Sequence, residues 1–201
     1  YVMFGFWGIM APEDCWPKVI ESLKKASQIE ENLSEICNSR AIKALLYDRD
    51  FNTAEKEFKK AIKLNPTNTQ ARVWYGLFYL LPIRNEIEKG LEQCKLATEF
   101  DPLSSYAYLS YSWTLMFAGR IEEAKEVAEY GVNIGSDDLF VHSTLGFFHF
   151  LAGNLEESLH EFKRCCELSG SNSHSLFQLI SVYVKIGDKQ LAEKVYADLE
   201  S

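Results

Sequence analysis

Gly119, Gly153 and Gly187 stand 34 residues apart, and each opens onto a stretch with helical apolar spacing. A fixed interval of this length marks a chain built from stacked similar units. It moves the search for function from a catalytic pocket to a surface made by stacking. A second frame repeats in step with the glycines. Ala54, Phe58, Ala61 and Pro66 are separated by four, three and five residues. The same intervals recur at Gly90, Cys94, Ala97 and Pro102, at Ala124, Ala128, Gly131 and Ser136, and at Ser158, Phe162, Cys165 and Gly170. An incomplete copy runs through Ala192, Tyr196 and Leu199, and Val19, Leu23, Ala26 and Glu31 fit the frame upstream. Offsets of three and four put each set on one helix face. Short side chains there let two helices approach closely, and a proline or glycine just beyond stops the helix.

A further apolar helix precedes each frame. Tyr75-Gly76 with Tyr79, Leu145-Gly146 with His149, and Leu179-Ile180 with Tyr183 each show a large residue, its successor, and an aromatic or His one turn on. Tyr111-Ser112 with Leu115 is a looser copy. The chain resembles the tetratricopeptide (TPR) repeat, a 34-residue helix-turn-helix, over essentially its whole length. The resemblance implies an all-α, right-handed TPR superhelix (an α-solenoid) of antiparallel helix pairs. The units read as 1–33 (truncated), 34–68, 69–104 (with a longer inter-helix turn at Pro82-Ile83-Arg84-Asn85), 105–138, 139–172 and a short 173–201. The first complete unit leaves its register open by one residue around Arg40 to Leu45. The run Tyr47-Asp48-Arg49-Asp50-Phe51 through Trp74-Tyr75, continued by Asp101-Pro102-Leu103-Ser104, is similar to TPR arrays of bacterial multidomain signalling proteins. Arg49 stands where those arrays more usually carry an aromatic.

Composition narrows the function classes. The chain has 21 basic against 29 acidic residues, a net charge of −8, with no basic run. Binding to a polyanion needs clustered Lys and Arg, so neither nucleic acid nor an acidic membrane surface is expected as a partner. Five cysteines, Cys15, Cys37, Cys94, Cys165 and Cys166, form no CxxC and read as buried reduced thiols of a cytoplasmic protein. Tyr1 to Met10 is apolar but too short to span a bilayer. With Phe4-Gly5 in the large-small frame, it reads as most of the first helix of a truncated unit, in a fragment of something longer.

Chemistry finds little support. His142 and His149 lie seven apart on one helical face, whereas a helical zinc pair usually sits four apart, and nothing nearby completes a ligand set. Glu55-Glu57, Glu122-Glu123 with Glu126, and Glu156-Glu157 are interspersed with Lys and read as solvated faces. No phosphate-binding loop, GxSxG or HExxH occurs. No catalytic residue, metal or cofactor is expected.

An aromatic stripe is the stronger signal. In TPR stacks the first helix of each pair lines the concave side. Carrying those positions over gives Trp74 and Leu77 (with Leu80 and Leu81), then Tyr106, Leu109 and Trp113 (with Met116 and Phe117), then Phe140, Phe147 and Phe150, and finally Phe177 with Gln178. TPR domains that clamp a carboxylate place Lys, Asn and Arg at such sites, and here only Asn38 qualifies. The expected function is a non-catalytic protein-protein interaction scaffold. Its groove would take an apolar or amphipathic peptide, within a larger bacterial signalling or regulatory protein. Two alternatives are a structural spacer or homodimerisation element, and an accessory domain of an enzyme whose catalytic part lies outside this chain. An uncapped last helix, with Leu191, Val195 and Leu199 on one face, adds the expectation of self-association through the terminal repeats.

Overall fold

The computed structural model describes residues 10–135 and 139–200. The first-helix expectation for Tyr1 to Met10 falls, except for Met10, outside the described residues. Every element among the described residues is helical. Helix α1 (Pro12–Ile29) is followed by five pairs. The first is α2 (Ser34–Lys43), extended by a π-helical segment (Ala44–Asp48), with α3 (Phe51–Leu64). The second is α4 (Thr69–Val73), extended by a π-helical segment (Trp74–Leu80), with α5 (Ile87–Phe100). The remaining pairs are α6 (Ser105–Phe117) with α7 (Ile121–Ile134), α8 (Leu139–Ala152) with α9 (Leu155–Ser169), and α10 (Ser173–Ile186) with α11 (Lys189–Glu200). The chain forms two compact bodies. One is Trp16–Ile134; the other is Gly135–Ser201 and includes the start of α1 through Cys15.

Each pair is built from the signals the sequence repeats. Asn68, Ser104 and Asn172 cap α4, α6 and α10 by accepting the backbone N–H of Ala71, Ala107 and Ser175. Such a cap contributes about 1 kcal/mol. The small-residue frame lies where helices meet. Ala54, Phe58 and Ala61, then Gly90, Cys94 and Ala97, then Ala124, Ala128 and Gly131, then Ser158, Phe162 and Cys165 are all buried. Backbone comes against backbone where the π-helical segment after α4 crosses α5: a Cβ on Gly76 would lie 2.7 Å from the carbonyl oxygen of Gly90. Only glycine permits that spacing.

The turn inside each pair differs along the chain. From the start of one helix to the start of the next takes 17 residues in the first pair, 18 in the second and 16 in the last three. Where the interval is 16, Gly119, Gly153 and Gly187 take the left-handed conformation (φ 79°, 82° and 91°), two residues before the second helix. The next residue then bonds back five positions: Arg120 N–H to Leu115 O, Asn154 to His149, and Asp188 to Tyr183. In the longer pairs Arg49 (φ 57°) and Asn85 (φ 54°) hold that same place. There Asp50 bonds back six positions to Ala44 and Glu86 back six to Leu80. One extra residue is thus wound into the helix end as a π turn. The open register near Arg40–Leu45 has this physical form. The second pair's further residue falls in its longer turn, Leu81–Arg84.

One expectation for the last helix changes. Leu191, Val195 and Leu199 do not form a common exposed face. Val195 and Leu199 turn inward onto the buried cluster of Phe162, Leu176, Leu179 and Val182, and Leu191 stays exposed. Closing the last pair takes priority, because α10 offers α11 an apolar face to bury against.

Candidate interaction surface

The aromatic stripe comes from the first helices, which carry few charges and many large side chains. In α6 no residue is charged, and two of its small polar groups bond back to the helix's own carbonyls. Ser112 donates to Leu109 O at 2.7 Å, and Thr114 to Ser110 O at 2.8 Å. These short side chains go to the helix contacts and leave the large ones for the remaining faces. Trp113 is half-buried, its ring 5.8 Å from that of Phe117, which is exposed. Tyr106 is half-buried against Val73, Ala97 and Ala107, and burial pushes its phenol above the ordinary range.

Five residues of the stripe lie elsewhere than expected. Trp74, Leu77, Leu80, Leu109 and Met116 are buried. Counting from each first helix's start, Leu109 is at offset four and Trp74 at offset five. These offsets form the contact between successive first helices, as two bonds show. Asn38 at offset four donates to Gln70 at 3.2 Å, and Ser143, also at offset four, accepts from Gln178 at 2.7 Å. Leu77 lies inside the π-helical segment.

In the second body, α8 is also uncharged apart from its histidines. Phe140, Phe147 and Phe150 are half-buried. Phe147 and Phe150 rest on the cluster around Phe162. Lys185 caps Phe150: its Nζ lies 4.2 Å from the ring centroid and donates to Phe150 O at 3.0 Å. Phe177 is exposed. His142 Nδ1 meets Glu161 Oε2 at 2.6 Å, which ties α8 to α9. Burial lowers the pKa of His174. Three exposed apolar residues of α8 and α10 fall outside the expected stripe, Leu151, Val184 and Ile186. The first two carry a sequence signal, since Leu151 repeats the offset of Phe117, and Val184 that of Met116 and Phe150.

Features of other function classes are sparse. Among the described residues no group of three or more His, Cys, Asp or Glu could hold a metal ion. No helix there is long and apolar enough to cross a membrane. All five cysteines are buried, and burial pushes the thiols of Cys94 and Cys165 up to about 12.

Comparison with known proteins places this geometry in a class. The family model for the tetratricopeptide repeat matches residues 35–68. The chain is 22% identical over 137 residues to human tetratricopeptide repeat protein 6, a match covering 68% of this chain and 26% of that protein. The crystal structure of the APC/C hetero-tetramer Cut9-Hcn1 contains a chain similar at TM-score 0.75 and 15% identity, over 89% of this chain and 35% of that one. A thermophilic TPR protein of Thermus thermophilus is similar at TM-score 0.71 and 18% identity, over 83% of this chain and 89% of its own. The match therefore spans about a quarter of the human relative and about a third of the first structure. The chain carries a match to the tetratricopeptide repeat at residues 35–68 and has the all-α fold of TPR solenoids. Folds of this kind serve in general as scaffolds for protein partners.

Proposed function

We propose that the chain is a non-catalytic docking module that grips an apolar or amphipathic peptide on its first-helix face, as the regulatory or scaffolding part of a larger bacterial signalling protein. One observation carries this reading. In each body a first helix holds large apolar side chains at offsets one and eight where they are only half-buried: Tyr106 and Trp113 in one, Phe140 and Phe147 in the other. Core packing alone would bury them, as it buries Trp74 and Leu109. Rigid helix pairs hold such rings in place beforehand, so a ligand loses little further entropy from the receptor on docking. A few aromatic anchors then dominate the affinity. The buried cysteines favour a reducing compartment, the cytoplasm.

The test is a screen of phage-displayed amphipathic peptides against the wild-type chain, Trp113→Ala and Phe147→Ala. Each substitution is expected to weaken the selected peptides about tenfold or more while leaving the helical circular dichroism intact. Loss of helicity in both variants, or unchanged binding, would assign these rings to packing alone.

A further inference from the structure

Arg72 of α4 is a buried cation, only 7% exposed, and among the described residues it makes no ion pair. Neutral groups hold its fork. Nε donates to Pro66 O at 2.7 Å, Nη1 donates to Gln93 Oε1 at 2.6 Å, and the Phe100 ring centroid lies 5.1 Å from Cζ. Glu92 is exposed and acts on it only from beyond ion-pair distance. Burial pulls the Arg72 pKa down, yet an arginine stays charged at neutral pH. A buried charge is ordinarily paired, because carbonyl and amide dipoles offset only part of the hydration it has lost.

The repeat shows what is missing. Arg72 stands at offset three of its first helix, and Gln93 at offset six of the second. In α8 and α9 the same offsets hold His142 and Glu161, in contact at 2.6 Å. In α2 and α3 they hold Cys37 and Glu57, which stand against each other. The other two pairs place Tyr108 with Val127 and Leu176 with Val195 there, all uncharged. Offset six thus carries a carboxylate in two pairs, and an amide in the pair whose offset three is permanently cationic. Gln93 aims the fork without neutralising it. Of the five N–H donors of an arginine, Pro66 and Gln93 take one each. The remainder lie on Nη1 and Nη2, and Nη2 is not among the polar atoms sealed from solvent. That end of a guanidinium can grip two oxygens of one anion.

We infer that Arg72 is the centre of an oxyanion-binding site, which takes a phosphate or carboxylate group against the Nη1–Nη2 end of its fork. Pro66 O and Gln93 hold the guanidinium in place, and Phe100, itself 43% exposed, covers one of its faces. The incoming anion supplies the charge that Glu161 supplies to His142 within α8–α9. The site is separate from the first-helix rings proposed to grip a peptide, since offset three lies about 200° around the helix from offset one. It does not depend on those rings binding a ligand.

The probes are inorganic phosphate and acetate, each titrated into the 15N-labelled 201-residue chain at constant ionic strength with chloride as the balancing anion. The readout is the Arg72 Nε–H resonance, assigned by its loss in Arg72→Lys. A saturable shift is expected with phosphate. The same shift with acetate would show that the site accepts carboxylates too, and a shift with phosphate alone would narrow it to phosphate groups. Gln93→Glu supplies the carboxylate from within and should weaken binding about tenfold or more, with circular dichroism unchanged. Glu92→Gln, which removes a repelling charge, should tighten it. A second readout is the rise in Tm that phosphate produces over chloride, which Arg72→Lys should remove because it keeps the charge but loses the fork. No saturable shift with either anion would overturn the inference. So would unchanged binding in Gln93→Glu, or a phosphate-dependent rise in Tm that Arg72→Lys retains, either of which would assign Arg72 to packing alone.

Discussion

Inside their turns, α2–α3 and α4–α5 pivot on Arg49 and Asn85, whereas the last three pairs pivot on Gly119, Gly153 and Gly187. Both groups keep a left-handed residue two positions before the second helix. They differ in what precedes it: a regular helix end in the glycine group, a π turn in the other. An insertion is therefore tolerated in this array when the helix absorbs it and the pivot stays in place. The longer pairs carry a penalty the glycine pairs avoid, since a left-handed conformation costs a side-chain-bearing residue roughly 1–2 kcal/mol. The second pair also combines its π turn with a contact of backbone against backbone, Gly76 against Gly90.

Five substitutions probe this contrast, read as shifts in urea unfolding. Gly76→Ala should be the most damaging, at about 3 kcal/mol, because its new methyl meets backbone that cannot move aside. Gly146→Ala, the matching change in a regular pair, meets the side chain of Phe162 instead and should cost less, roughly 2 kcal/mol. Equal losses would show that the π-containing pair is no tighter than the others. Gly119→Ala comes next, at about 1–2 kcal/mol. A Cβ there meets nothing within 4 Å, so the whole effect would be backbone strain at φ 79°. Arg49→Gly should run the other way, stabilising by up to about 1 kcal/mol as the strain is relieved. A loss on that change would mean that the Arg49 side chain contributes more than its backbone costs. The same exchange at Asn85 should gain only about a few tenths of a kcal/mol, since asparagine tolerates the left-handed region.

Much of the fold was legible because its signals are local. The period of Gly119, Gly153 and Gly187 reports a backbone conformation each pair needs, and the buried Ala, Gly, Ser and Cys positions report a steric limit at the crossings. Even the first pair's slack residue showed as a break in register, close to the π turn at Ala44–Asp48. The surface was less legible because exposure depends on neighbours. Leu109 and Phe177 occupy the same offset, yet one is buried and the other exposed, a difference their own residue types do not announce. Leu77 shares its offset with Trp113 and Phe147, yet it is buried where they are half-buried. Val195 and Leu199 looked like an exposed edge, although α10 had the stronger claim on them.

The sulfur atoms carry a practical consequence. Cys15, Cys37, Cys94, Cys165 and Cys166 sit in α1, α2, α5 and α9, all shielded from solvent. With Cys94 and Cys165 pushed up to about 12, almost none of either is in the reactive anionic form at neutral pH. An alkylating reagent should therefore modify them only as their own helices open. The order in which these sulfurs are tagged then becomes a map of where the array comes apart first.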